Sequence, residues 1–199
     1  MTRRLPLVPT LLVAAASLTL VGFGIWQLQR AEEKEALLAR YESARGLPRI
    51  AFPTIPIAEG DLPLFRQASG HCLRVLSRRT SAGENRRGET GFLHIADCGS
   101  GAEGPGMAVE MGWSKDPNAG RAWNGGQVRG IIAPDRKSRM RLVSSTGLGG
   151  LEPGKPPSTA TIPNNHLSYA IQWFLFALLA ALIYGLALRK RWRQEDTAP

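Results

Sequence analysis

The sequence predicts a membrane protein of α+β class, in which two transmembrane helices flank a small external domain built as an antiparallel β-sheet or barrel. Three observations predict this. Leu5–Trp26 carries no charged residue, and neither does Tyr169–Leu188, where Gln172 is the one strongly polar side chain. Between them the chain breaks into short β-type runs separated by glycine, proline, asparagine and aspartate. No helical pattern intervenes after Pro48, which argues for strand pairing rather than crossover units.

The first apolar run is long enough to span. At 1.5 Å per residue a helix over Leu5–Trp26 covers roughly 33 Å, against a hydrocarbon layer about 30 Å thick. Pro6 and Pro9 fall in its first turns, where proline is tolerated. A rival reading is a cleaved signal peptide with Arg3-Arg4 as its charged start and Ala14-Ala15-Ala16 as its cleavage site. Against it, the run continues through Leu18, Leu20, Val21, Phe23 and Ile25. Gln27–Glu42 is rich in strong helix formers and reads as a stalk that prolongs the helix. Trp26, Arg30, Lys34, Leu37 and Tyr41 share one face of it by their spacing of three and four.

Six strands are expected beyond Pro48: Phe65–Gln67, Cys72–Leu76, Gly91–Asp97, Met107–Trp113, Val128–Ile132 and Arg139–Val143. Turn signals separate them at Gly83-Glu84-Asn85, Gly99-Ser100-Gly101, Asp116-Pro117-Asn118 and Asn124-Gly125-Gly126. Gly99–Gly106 and Gly147–Pro157 read as loops. The second span closes the pattern. The expected organisation is therefore a first transmembrane helix over 5–28, an external domain with its stalk helix over 29–163, a second transmembrane helix over 167–188 and a basic tail over 189–199.

Charge sets the expected orientation. Arg3 and Arg4 precede the first span, and Arg189, Lys190, Arg191 and Arg193 follow the second. The positive-inside rule then puts both termini in the cytoplasm and the central domain outside, in a periplasm or its equivalent. Trp26, Tyr169 and Trp192 stand at span edges, where aromatic rings favour the interface. The net charge of +9 is partly made by these flanks: with six basic residues set aside, 19 basic face 14 acidic ones in the external domain. That excess forms no dense stripe with interleaved aromatics, so nucleic acid is excluded as a partner.

Catalytic signatures are absent. There is no Cys-x-x-Cys for thiol exchange, no Gly-x-Ser-x-Gly, no glycine-rich phosphate loop and no two-histidine zinc motif. The expectation is a protein that is not an enzyme. Cys72 and Cys98 leave three readings open: a disulfide, free thiols, or a Cu(I) site with His71 and His94. The last is awkward, because His71 and Cys72 are adjacent and point to opposite faces of a strand.

His166 stands where the second span begins. An ionisable side chain at a bilayer boundary is a functional candidate, and imidazole is a good axial ligand for haem iron. The alternative is a helix-start role beside Asn164 and Asn165, both good N-cap residues.

Three segments resemble the Surfeit-locus (Shy-type) family of cytochrome c oxidase assembly factors. Gly24-Ile25-Trp26-Gln27-Leu28-Gln29-Arg30-Ala31-Glu32-Glu33-Lys34 is similar to that family's Gly-x-Trp-Gln-x-x-Arg-x-x-x-Lys signature. Pro163–Phe174, with Asn164-Asn165-His166 and Tyr169-Ala170 ahead of Trp173-Phe174, is similar to its second signature. Between them, Gly130–Pro134 resembles the family's Gly-x-x-x-Pro turn and Gly112-Trp113 the end of its Arg-Gly-Trp strand. Met111 replaces that arginine, so the arginine's role does not carry over. Residues 45–105 are weakly similar and look shortened.

The resemblance implies a part in building haem-copper oxidases through supply of haem a to the large, catalytic subunit, with His166 at the position of the histidine implicated as ligand. Expected partners are that subunit, the haem a synthesis machinery and membrane lipid. With the helices side by side, His166 would ligate iron while Arg30 paired with a propionate, a contact suited to guanidinium. Trp26, Tyr169 and Trp173 would wall the site, and Tyr169, Ala170 and Trp173 share the face of His166 by spacing. Two alternatives stand beside it: a cofactor-free membrane chaperone for the nascent oxidase, and copper delivery through Cys72 and Cys98.

Overall fold

The computed structural model describes residues 5–99, 101 and 106–197. The Arg3-Arg4 flank, residues 100 and 102–105 of the Gly99–Gly106 stretch and the last two residues of the tail lie outside the described residues. The chain forms two compact units. A terminal unit takes both chain ends, up to Leu37 and from Pro163, and a central unit comprises Leu38–Ile162.

The terminal unit is a helix pair. Helix α1 is continuous over Leu7–Ala44, so the expected span and stalk are one helix that passes unbroken through Ala14-Ala15-Ala16. Helix α2 covers His166–Thr197 and carries the tail along with it. Both are long and apolar enough to cross a membrane, and only 6% of the most apolar window of each is buried. A core helix of a soluble protein would hide that surface. Bare leucines along both helices are consistent with a membrane protein.

The helices run antiparallel. Thr10 meets Tyr184 through a 2.5 Å hydroxyl contact, Phe23 meets Trp173 with ring centroids 5.1 Å apart, and Gln27 meets His166. Small residues line the seam: Gly24 and Ala31 on α1, Ala170 and Ala177 on α2 are buried. Each pair is spaced by one heptad, which keeps it on one side of a supercoiled pair, and small side chains let membrane helices approach. A Cβ on Gly24 would lie 2.5 Å from the Phe174 ring.

The central unit is a seven-stranded sheet in the order β1-β2-β6-β7-β5-β4-β3. Its strands are β1 (Ile50–Ala51), β2 (Gln67–Cys72), β3 (Arg74–Glu84), β4 (Thr90–Gly99), β5 (Met107–Ser114), β6 (Gly126–Asp135) and β7 (Arg139–Ser144). The expectation of an antiparallel sheet is corrected: the sheet is mixed, with β1 parallel to β2 and β5 parallel to β7. Adjacent β6 and β7 do form an antiparallel pair. Its second strand is then laid against β5, whose residues are buried on both faces except Ser114. Burial on both faces is the usual setting of parallel pairing.

The expected Cys72–Leu76 strand is also corrected. Only Leu73 separates β2 from β3, yet these two strands lie near opposite ends of the sheet order. The chain leaves the β6 ladder at Cys72 and joins the β4 ladder at Arg74, so the sheet must roll until its ends approach. The Cys72–Cys98 disulfide ties β2 to β4 across this corner. Phe52, Met107, Val109, Met111, Ile132 and Leu142 fill the inside of the roll with both cysteines.

Two further expectations change. Gly130–Pro134 is not a turn but the interior of β6. A Cβ at Gly130 would sit 1.8 Å from the Val143 carbonyl oxygen, so glycine there permits close strand approach. Pro134 is tolerated because backbone bonding on the β2 side runs out at Ile132, which exchanges bonds with Phe65 and Arg66, so the missing N–H breaks no ladder bond. The Gly147–Pro157 loop is likewise not free. Glu152 bridges to Trp113, Gly154 bridges to Asn85, and Leu151 is buried.

Candidate functional site: the His166–Gln27 junction

Pro163, Asn164 and Asn165 lead into α2, and His166 is its first helical residue. The helix start is closed by the Tyr169 backbone N–H donating to the Asn165 carbonyl at 3.2 Å. Asn164 Oδ1 is buried without a hydrogen-bond partner among the described residues. The half-buried His166 imidazole reaches across to α1, where Nδ1 lies 2.7 Å from Gln27 Oε1.

That contact has a chemical consequence. An amide oxygen only accepts, so Nδ1 is the donor of this contact with Gln27 Oε1. Metal-ligating histidines are oriented in this way, with the second ring nitrogen donating to an oxygen. The donor set thus suits one axial iron ligand. Gln27 was not among the residues expected here, although the first signature carries it beside Trp26. Spacing from His166 could not find it, because the contact is made between helices far apart in sequence.

The other expected residues are distributed unevenly. Trp173 is half-buried and stacks on Phe23, a residue not anticipated, and meets Phe176 edge-on at 6.2 Å. Trp26 and Tyr169 are about half exposed. Arg30 is engaged on its own helix, donating to Glu33 Oε2 at 2.7 Å with its guanidinium 5.8 Å from the Trp26 ring centroid. Both contacts are exposed, and surface pairs of this kind contribute about 0.5 kcal/mol, so Arg30 is readily exchanged to another carboxylate.

In the central unit, the cysteines form a disulfide, as the first of the three readings has it. That removes both thiolates from a copper site. His71 is exposed on the face opposite buried Cys72, and His94 bonds Ser114 Oγ at 3.0 Å. Among the described residues no group of three or more His, Cys, Asp or Glu could hold a metal ion.

A buried ionic network locks the outer face of the sheet. Arg141 donates to Glu110 at 2.7 Å, and Arg79 donates to Asp135 at 2.8 Å. Burial pushes the Glu110 carboxyl above its ordinary value and outweighs the adjacent Arg141. Burial also acts on Asp135, but there the Ser138 backbone N–H, Arg79 and Arg141 together win and hold the carboxyl below its ordinary value.

A family-wide sequence profile, that of the SURF1 family, matches residues 14–178. The chain belongs to the SURF1 family. The match includes both helix segments that build the His166–Gln27 junction, and the weakly similar stretch 45–105 between them. The SURF1 family is associated with cytochrome c oxidase assembly, and its members are assembly factors rather than catalysts. A comparison with individually curated proteins gave no match. One departure from the resemblance gains a physical counterpart: where this SURF1-family chain has Met111 for arginine, Arg78 of β3 brings its Nη1 within 3.7 Å of the Met111 sulfur.

Proposed function

We propose that this chain is a membrane-anchored assembly factor for a haem-copper oxidase, and that His166 ligates the iron of haem a held at the outer end of the terminal helix pair. The observation that supports the proposal is the 2.7 Å bond from His166 Nδ1 to Gln27, which fixes the ring at the helix junction by one nitrogen only. Trp26 and Tyr169 offer apolar faces for a macrocycle, Trp173 packs behind them, and Arg30 supplies a guanidinium for a propionate. A single imidazole at a helix rim suits a cargo that must be released. The receiving partner is the oxidase large subunit, with the haem a synthesis machinery as donor. In this reading both termini lie in the cytoplasm and the central unit in the periplasm of a bacterial inner membrane.

The test compares wild type, His166→Ala and Gln27→Leu, each expressed in cells that make haem a and purified in detergent. Haem per protein should fall sharply in His166→Ala. In Gln27→Leu affinity should weaken about tenfold, as is typical for loss of a ligand's orienting partner. Equal haem loading in all three would remove His166 as ligand. The cofactor-free chaperone reading would be selected by retained oxidase association with no haem absorption. Copper delivery through Cys72 and Cys98 is disfavoured by their disulfide.

A further inference from the structure

Strand β3 is an edge of the sheet, and at eleven residues it is long for an edge. Long exposed edges are usually covered, because their unpaired N–H and C=O groups template another strand. Here only the two ends are covered. The Val75 N–H donates to the Asn124 carbonyl at 3.3 Å, and the Glu84 carbonyl accepts from the Lys155 N–H at 2.9 Å. Since Glu84 turns its backbone groups away from β4, the alternation of an antiparallel ladder turns those of Arg78, Thr80 and Ala82 outward as well. Among the described residues nothing bonds those groups.

Beside this open stretch lies a cavity of about 380 Å³, lined by Arg78, Thr80, His94, Met111, Ala119 and Arg121 among others. Its charge is unbalanced. Arg78 is held by the carbonyls of Trp123 at 2.6 Å and Gly120 at 3.5 Å and by Asn124 Oδ1 at 3.2 Å. Arg121 is held by Asn118 Oδ1 at 2.6 Å. These partners are neutral oxygens, so among the described residues neither guanidinium is paired with a carboxylate. By contrast, Arg79, which also lines the cavity, is matched by Asp135 and Asp97. Exposed Leu73 and Leu76 stand at the same edge.

We infer that the open middle of β3 and its adjoining arginine-lined cavity form a docking site for an extended, acidic protein segment that adds to the sheet as a strand. Backbone bonds to Arg78, Thr80 and Ala82 would hold such a segment, as in other strand-addition complexes. A carboxylate on every second residue would meet Arg78 and Arg121, and apolar side chains between would meet Leu76. The site belongs wholly to the central unit and does not depend on what the terminal helices carry.

The probe is a fluorescein-labelled peptide of alternating glutamate and valine or threonine, with a lysine-for-glutamate counterpart, titrated against the full chain in detergent. Anisotropy should show saturable binding of the acidic peptide that weakens with salt, and none of the lysine peptide. Arg121→Glu, in an exposed loop, should weaken binding at least about tenfold, the scale of reversing one interface charge. Thr80→Pro removes an outward N–H without touching the β4 ladder and should do the same with the melting temperature retained. If Thr80→Pro does not fold, Arg121→Glu decides. Absence of saturable binding, equal binding of both peptides, or binding indifferent to Arg121→Glu would overturn the inference and leave the arginines as guards of a bare edge.

Discussion

His94 and His166 each bond a neutral side chain, Ser114 and Gln27, yet they stand in different settings. His94 lies in β4 with 5% of its surface exposed. Ser114 donates its hydroxyl proton to the Asp116 carbonyl, so its oxygen accepts from His94 Nε2. Burial holds this imidazole below its ordinary value near 6.5, against a smaller opposing effect of Asp116. The unfolded chain therefore binds a proton that the folded chain refuses. Stability from this group is present above about pH 6.5 and is lost as the pH falls from there through the folded value. The melting temperature should drop as pH is lowered from 7.5 towards 5, and His94→Gln should flatten that part of the curve. An unchanged slope in His94→Gln would assign the loss to other groups. His166, by contrast, is half-buried at the seam of the helix pair and bonds Gln27 of the facing helix.

At the scale of elements, the corner at Leu73 decides how the sheet closes. Cys72 and Cys98 are separated by 26 positions and join strands from distant places in the sheet order. In the chain-entropy model a cross-link over that separation contributes about 3 to 4 kcal/mol. Cys72→Ser with Cys98→Ser should lower the urea midpoint correspondingly, and reductant should lower wild type to the same level while leaving the double variant unmoved. A midpoint insensitive to both would mean that the roll is held by its core alone. The same corner shows what the sequence could and could not disclose. The apolar ends and the strand-rich middle are compositional, so they were legible. The break inside Cys72–Leu76 was not, because no turn residue marks it; it is set by ladders to β6 and β4 that are far off in the chain. The parallel β5–β7 pairing was hidden for the same reason. At the helix junction, His166 could be picked out by position and Gln27 could not, since only packing of α1 on α2 brings them together.

For the molecule as a whole, two independent features argue for one orientation. Basic residues gather after the second apolar run at Arg189, Lys190, Arg191 and Arg193, and such clusters are retained in the cytoplasm. The central unit holds a disulfide, a bond that forms chiefly in oxidising compartments. Both features accord with the proposed orientation, in which the central unit lies outside. Alkaline phosphatase, active only outside, should be active when inserted at the exposed Gly60 and inactive when fused after residue 199. The cysteines offer a check that needs no fusion. In intact cells they should resist a maleimide reagent until reductant is added. A chain lacking the first apolar segment, and so retained in the cytoplasm, should react at once. Phosphatase activity at residue 199 would invert the topology, put the His166–Gln27 junction on the cytoplasmic side and remove the physical basis for handing haem over at the outer boundary.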